Sequence, residues 1–189
     1  MRKEAFISII IPAHNEEKLL PRLLKSIKAQ DYKNYEIIVA VSPKTKDKTR
    51  EIAKKFGAKV VKGGKVAEAR NNGAKAASKK SEYYFFFDAD TYLPKKDFLK
   101  KAIKELKERN LDFATCFVKF DTLGLVGFIE NLQYGFANCF MKLTEGFKAY
   151  AQGPCMIMKP EVMNIRGYNN CWGFDSDLSY GEDTELAQR

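Results

Sequence analysis

Two carboxylates one residue apart, Asp88 and Asp90, follow the unbroken aromatic run Tyr83–Phe87. Alternate residues of an extended segment can converge on one point. Paired carboxylates are hard oxygen ligands for Mg2+ or Mn2+, and Mg2+ is ordinarily held by one or two carboxylates plus substrate phosphates. A solvated turn can carry the same D-x-D pattern, but the position directly after an apolar run favours the metal. Three other groupings can do chemistry. Pro12-Ala13-His14-Asn15-Glu16 follows a second apolar run, and a strand-to-helix corner offers free backbone N–H groups to an anionic or polar ligand. The plain alternative is a capped helix start, and His14 reads as a loop histidine. Lys65 offers a point charge for phosphate, and Arg70, beside Asn71, a guanidinium that forks onto phosphate or a base edge. Charged residues on a wet helix face are the alternative there. Finally, Gly181-Glu182-Asp183 reads either as a helix cap or as a general base within reach of an acceptor hydroxyl.

The elements that must position these groups are legible in the pattern of apolar residues. Residues 5–11 (AFISIII) and 36–41 (EIIVAV) are continuous β-branched runs, the signature of strands buried on both faces. Asn15 is a candidate N-cap, and Leu19, Leu20, Leu23, Leu24 and Ile27 form a helical stripe after it. Pro21 requires that helix to start near Leu20 or to kink there. Asp47 caps a helix ending at Phe56, with Gly57 as its left-handed stop. Residues 59–61 read as a short strand, residues 66–77 as an Ala- and Gly-rich helix made for close packing, and Tyr83–Phe87 as a fourth strand. Pro94 opens a helix with a core face of Phe98, Leu99, Ala102, Ile103 and Leu106. Residues 113–120 read as a fifth strand and 154–158 as another. This βαβαβαβαβ order predicts an α/β fold, a mostly parallel sheet with helices on both faces. Ligands of such sheets bind beyond the carboxyl ends of the strands, which gathers residues 12–16, 42–47 and 88–91 around one crevice.

The chain has 189 residues, 33 Lys and Arg against 24 Asp and Glu, and a net charge of +9. Length predicts one domain over 1–189, and composition excludes collagen, low complexity and wholesale disorder. The charge suits polyanions: nucleotide phosphates, nucleic acid or an anionic membrane face. No recognised nucleic-acid motif accompanies it, so nucleic acid is not an expected partner. Cys116, Cys139, Cys155 and Cys171 form no CxxC pair and have only His14 to help them, which argues against structural zinc. They read as small apolar residues of a reducing compartment, hence a cytoplasmic protein. No signal-peptide pattern is visible.

Taken in order, ISIIIPAHNEE, then Lys65 with Ala69-Arg70-Asn71, then FFFDAD, then GEDTEL resemble a family 2 glycosyltransferase of the GT-A fold, over nearly the whole chain. The resemblance implies an inverting enzyme. It would use a nucleotide-diphosphate sugar and Mn2+ or Mg2+, and move the sugar to an acceptor hydroxyl. Carried over, Pro12, Ala13 and Glu16 would line the nucleotide pocket, with Lys65 and Arg70 near the base or phosphates. Asp88 would lie near the ribose and metal, and Asp90 would ligate the metal. Asp183 would be the base, with Glu182 beside it in the acceptor site. Members of this family commonly end the second strand in an Asp-rich stretch that contacts the base. Here the stretch is Val41-Ser42-Pro43-Lys44-Thr45-Lys46-Asp47, so Ser42 or the backbone after it must substitute.

A sugar nucleotidyltransferase would want a Gly-rich, Arg-bearing loop where residues 12–17 have no glycine. A dinucleotide oxidoreductase would need a G-x-G-x-x-G that follows no strand here. A non-catalytic nucleotide-sugar-binding module fits the missing base-contact acid but not the retention of Asp90 and Asp183. Residues 123–141 are apolar and aromatic yet carry Glu130, Asn131, Gln133 and Asn138. They read as an amphipathic segment, covering the sheet or lying in an interface, and not as a membrane span. With Lys119, Lys142 and Lys148 around it, this segment raises the expectation of a lipid-linked acceptor at the cytoplasmic face of a membrane. The sequence stops within a helical pattern at Gln188-Arg189, which leads one to expect a longer protein with more chain beyond it.

Overall fold

The computed structural model describes residues 4–116, 119, 121, 128–129, 131–133, 135, 153–166, 171–178 and 186–187. Six strands form one sheet: β1 (Ile7–Ala13), β2 (Tyr35–Val41), β3 (Lys59–Lys62), β4 (Tyr83–Phe87), β5 (Phe113–Thr115) and β6 (Cys155–Met158), in the order β3-β2-β1-β4-β6-β5. β1 runs parallel to β2 and β4, and β2 parallel to β3. β6 inserts antiparallel between β4 and β5. The mostly parallel sheet expected from the sequence is therefore present, with one reversed strand.

The α-helices that accompany these strands are α1 (Leu20–Lys28), α2 (Thr49–Lys55), α3 (Val66–Lys75) and α4 (Phe98–Glu108). One core layer joins Ile7, Ile9, Ile11, Val39, Phe85 and Phe87 to Leu23, Leu24 and Ile27 of α1, Ala53 of α2 and Leu99 and Ile103 of α4. The other joins Ile10, Ile38 and Phe86 to Ala67 and Ala74 of α3 and to Phe174 and Leu186. Strand residues alternate between these layers because successive side chains of a strand point to opposite faces. The chain steps β1 to β2 to β3 in one direction, then crosses back to β4. Right-handed crossovers send the helix of the reversed step, α3, to the opposite face from α1 and α2. Gly73 permits the close approach of α3: a Cβ there would lie 2.4 Å from the Cγ2 of buried Ile10.

Local details differ from the sequence expectations. Asn15 is not a helix cap: its φ is +57°, and α1 begins at Leu20 after Leu19, without a side-chain cap. Pro21 thereby falls in the first turn, where a missing N–H costs nothing. Leu19 is left outside the buried stripe, 45% exposed. α4 starts at Phe98, four residues after Pro94. The fifth strand is described only over Phe113–Thr115. Gly57 does end α2 with φ +77°. Cys116, Cys155 and Cys171 are free thiols; burial, with Cys116 and Asp88 nearby, pushes the Cys155 thiol up and makes it an unreactive apolar residue. Cys139 lies outside the described residues.

Candidate active site

β1 sends the chain towards β2 on one side, while β4 arrives on its other side. The gap beyond the carboxyl ends of β1 and β4 is thus the switch point of the sheet, where doubly wound folds take ligands. Two loops meet there: residues 12–16 from β1 and residues 88–91 from β4. Asp88 is the first residue past β4. Its backbone N–H donates to the Pro154 carbonyl at 3.3 Å, and its own carbonyl accepts from the Thr91 hydroxyl at 2.7 Å and the Thr91 N–H at 3.1 Å. The turn is therefore closed by Thr91 and anchored on the reversed strand β6. Arg70, on α3, is 2% exposed and donates through Nη2 to Asp88 Oδ1 at 3.0 Å and to the Gly153 carbonyl at 3.1 Å. Of the alternatives the sequence left open for Arg70, this is not a wet helix face: the guanidinium is buried and paired with a crevice carboxylate.

Asp90 is exposed beyond Asp88. Glu16 is half-buried on the facing loop, and burial raises its pKa first, with Asp90, Asp47 and Asp88 adding to the rise and His14 opposing it. Glu16 thus senses the negative field of the Asp88–Asp90 pair across the crevice. Three carboxylates facing one gap suit a divalent cation. Among the described residues, however, no three His, Cys, Asp or Glu side chains approach closely enough to hold a metal by themselves.

The β1 loop is held by the β2 loop through reciprocal hydrogen bonds. The Glu16 N–H donates to Thr49 Oγ1 at 2.7 Å and the Glu17 N–H to Asp47 Oδ2 at 2.9 Å. In return, Lys46 N–H donates to Asn15 Oδ1 at 2.9 Å and Lys48 N–H to Glu17 Oε2 at 3.1 Å. Burial alone would push the Asp47 carboxyl up, but the bonds from Thr49 and the Glu17 amide outweigh it and hold it below the usual carboxylate range. Asp47 was legible only as a helix cap. Its second bond, to Glu17, crosses between loops and had no local signal.

Pro12 and Ala13 are buried at the end of β1, paired with Ala40 and Val41. Ser42 is 6% exposed and donates its N–H to the Ala13 carbonyl at 2.9 Å. Gly63 lies against the same strand end, since a Cβ there would be 2.6 Å from the Ala40 carbonyl oxygen and 2.9 Å from Ser42 N. Lys65 follows, exposed at the start of α3. Pro12, Ala13, Glu16, Ser42, Asp88 and Asp90 thus sit at one end of the sheet, with Arg70 beneath Asp88 and Lys65 at the β3–α3 turn. Glu182 and Asp183 lie outside the described residues. The sequence missed Gly63, whose signal was its place before a second glycine at a strand-to-helix corner, and Phe174, which gave none.

The solved structures similar to this chain carry the same architecture. A mannosyltransferase from Pyrobaculum calidifontis, in complex with GDP-Man and Mn2+, superposes with a TM-score of 0.74 at 21% identity, over 98% of this chain and 51% of that one. TarS of S. aureus in complex with UDP-GlcNAc gives 0.69 at 22% identity, over 96% of this chain and 52% of that one. Among curated proteins, a 4,4'-diaponeurosporenoate glycosyltransferase of Staphylococcus haemolyticus is 54% identical over 54 residues, 29% of this chain and 14% of that protein. A dolichyl N-acetyl-alpha-D-glucosaminyl phosphate 3-beta-D-2,3-diacetamido-2,3-dideoxy-beta-D-glucuronosyltransferase of Methanococcus voltae is 38% identical over 109 residues, 52% of this chain and 33% of that protein. The chain therefore spans a third or less of these curated relatives and about half of these structures. The model of the family described as Glycosyl transferase family 2 matches residues 8–160, a stretch that contains both crevice loops and the reversed strand, and the chain belongs to that family.

Proposed function

We propose that this chain is the donor-binding, catalytic part of an inverting glycosyltransferase that moves a sugar from a nucleotide-diphosphate sugar to an acceptor hydroxyl. The observation that carries the reading is the D-x-D turn at the switch point, where buried Arg70 is paired with Asp88 and Asp90 stands exposed two residues on. Asp90 and Asp88 would hold Mn2+ or Mg2+, which when bound neutralises charge on the departing diphosphate. The GDP-Man and UDP-GlcNAc complexes of the similar structures support a nucleotide-sugar donor, and the Mn2+ of the mannosyltransferase complex supports the cation. Ser42 and the backbone beside it border the base end of the crevice, and Lys65 supplies a cation at the α3 turn. Asp183 is assigned as the base. As the acceptor oxygen bonds to the anomeric carbon, its proton passes to the Asp183 carboxylate. The bond from that carbon to the diphosphate oxygen breaks, and the nucleoside diphosphate leaves with the electron pair. Attack from the face opposite the leaving group inverts the centre, and Glu182 is assigned to acceptor binding. The test is a thermal-shift screen of UDP- and GDP-sugars with and without Mn2+. A ligand that binds only the folded state raises the melting temperature by mass action. A cation-dependent rise is expected, and no rise with any donor would refute the reading.

A lipid-linked acceptor at a membrane face is the finer reading of the acceptor side. Its support is the exposure of Phe128, Ile129 and Leu132, at 66%, 46% and 55%, together with the lipid-linked acceptor in the printed name of the Methanococcus voltae relative. Among the described residues no helix is long and apolar enough to cross a membrane. An interfacial seat therefore predicts cosedimentation with anionic liposomes at low salt, weakened at high salt. Absence of cosedimentation at low salt would remove the membrane from the proposal.

A further inference from the structure

Asn71 stands next to Arg70 on α3 and spends its side chain on a remote residue. Its Nδ2 donates to the Phe174 carbonyl at 2.7 Å, and its Oδ1 accepts from the Phe174 N–H at 2.8 Å. One amide thus satisfies both backbone groups of a residue far along the chain. Among uncharged side chains only Asn and Gln carry a donor and an acceptor on one planar group, which lets them imitate a strand neighbour. The fit is close. Gly173 adopts φ +69°, and a Cβ there would lie 2.4 Å from Asn71 Oδ1 and 2.6 Å from Met163 Cε. The clamped residue is itself well placed. The Phe174 ring packs edge-on against Phe86, with centroids 5.2 Å apart, and the Arg70 guanidinium carbon lies 5.4 Å from the Phe174 ring centre. Arg70 in turn holds Asp88 at 3.0 Å.

We infer that Asn71 is a positioning residue for the donor site. By fixing the Phe174 backbone it fixes the ring against which the Arg70 guanidinium rests, and so the direction in which Asp88 offers its carboxylate to the crevice. Core packing on Phe86 would keep Phe174 buried without Asn71, but it would not fix the ring's rotation or its height beside Arg70. Groups that orient the residues holding a cation change affinity when removed even though they never touch it, typically by about 10- to 100-fold. The inference rests on the proposed function, because its readout is cation-dependent nucleotide binding at Asp88 and Asp90.

The experiment titrates the full chain with UDP and, separately, GDP in the presence of Mn2+, by calorimetry. The variants are Asn71→Ala, Phe174→Leu, their double mutant, and Ala102→Gly, which loosens α4 in the other core layer. Asn71→Ala is expected to weaken the better of the two nucleotides by about 10- to 100-fold, while Ala102→Gly lowers the urea midpoint and leaves affinity at the wild-type value. Phe174→Leu keeps the clamped backbone and loses the ring. It is expected to weaken binding as well, and less than additively with Asn71→Ala, since both act through Arg70. Wild-type affinity in Asn71→Ala, or in Phe174→Leu should Asn71→Ala not fold, overturns the inference and leaves the proposed function standing. Equal losses in Ala102→Gly and Asn71→Ala make Asn71 a stability residue only, which also overturns it. A wild-type chain that binds neither nucleotide with Mn2+ overturns the proposed function, and this inference with it.

Discussion

The carboxylates at the switch point have divided tasks, and the division predicts how they fail. Asp88 is half-buried and paired with a buried arginine, whereas Asp90 is exposed and faces the like charge of Glu16. If Asp90 holds the cation as proposed, removing it removes cation affinity, and its exposure means that the fold loses little. Asp90→Ala should abolish the Mn2+-dependent part of nucleotide binding, as EDTA does to wild type, and leave the circular dichroism spectrum and melting temperature of the free protein unchanged. Undiminished Mn2+-dependent binding in Asp90→Ala would show that the cation sits elsewhere. For Asp183 the expectation is the reverse. Asp183→Asn keeps the shape and removes the basic lone pair, so transfer should fall by about 10²-fold or more while donor affinity holds. Parallel measurement of turnover and donor Kd on a transfer-competent protein checks this, and near-normal turnover would dismiss Asp183 as the base.

At the scale of elements, the site depends on how closely α3 approaches the sheet. That helix carries Arg70 and Asn71, and its height above β1 is set by Gly73 over Ile10. Gly73→Ala gains helix propensity of up to about 1 kcal/mol, but the new methyl meets the side chain of a fully buried β-branched residue. Overpacking of this kind costs about 1–3 kcal/mol, so net destabilisation with reduced donor affinity is expected, read from urea midpoints and nucleotide titration together. A midpoint at or above wild type would mean that α3 lifts without penalty and that its height does not matter. The β1 and β2 loops are a second coupled pair. The side chains of Asp47, Thr49, Asn15 and Glu17 accept one bond each, from the backbone N–H groups of Glu17, Glu16, Lys46 and Lys48 on the opposite loop, so the chain entering α1 is placed by the chain entering α2.

At the scale of the whole molecule, pH reports on how the sheet's amino end is closed. The Tyr32 hydroxyl donates to the Ala5 carbonyl. Burial first, then Glu4 and Glu82, push its pKa up to about 12 from an ordinary 10.0. The folded-state pKa lies above the unfolded one, so Tyr32 contributes its full stability below pH 10 and loses it as pH rises towards 12. Tyr32→Phe should cost about 1 kcal/mol at pH 8, and the gap to wild type should shrink by pH 11. Urea midpoints at the two pH values decide it; a constant gap would mean that the phenol does not titrate with unfolding. Tyr35 and Tyr84, also raised by burial, leave a residual slope in the mutant.

How far the sequence reached follows from the range of the forces involved. The strands Ile7–Ala13, Tyr35–Val41 and Tyr83–Phe87 were legible because runs such as III, IIV and FFF can be buried only between two layers. The alternation of strands and helices then implied the parallel sheet, and the chemistry of Asp88-Ala89-Asp90 implied a hard cation. These are local properties, written in consecutive residues. The start of α1 was not legible: Asn15 has the composition of a cap, but its side chain is drawn to the Lys46 amide across the crevice. Residues 154–158 were legible as a strand, but the reversed direction of β6 was not. A four-residue apolar run has no direction of its own, and only its place between β4 and β5 brings the Gly153 and Pro154 carbonyls to Arg70 and Asp88. The sequence marked Arg70 and Asn71 as polar groups that bind something. Tertiary structure decided what they bind, because their partners, Asp88 and Phe174, lie 18 and 103 residues away, and which side chains meet over such separations is settled by packing.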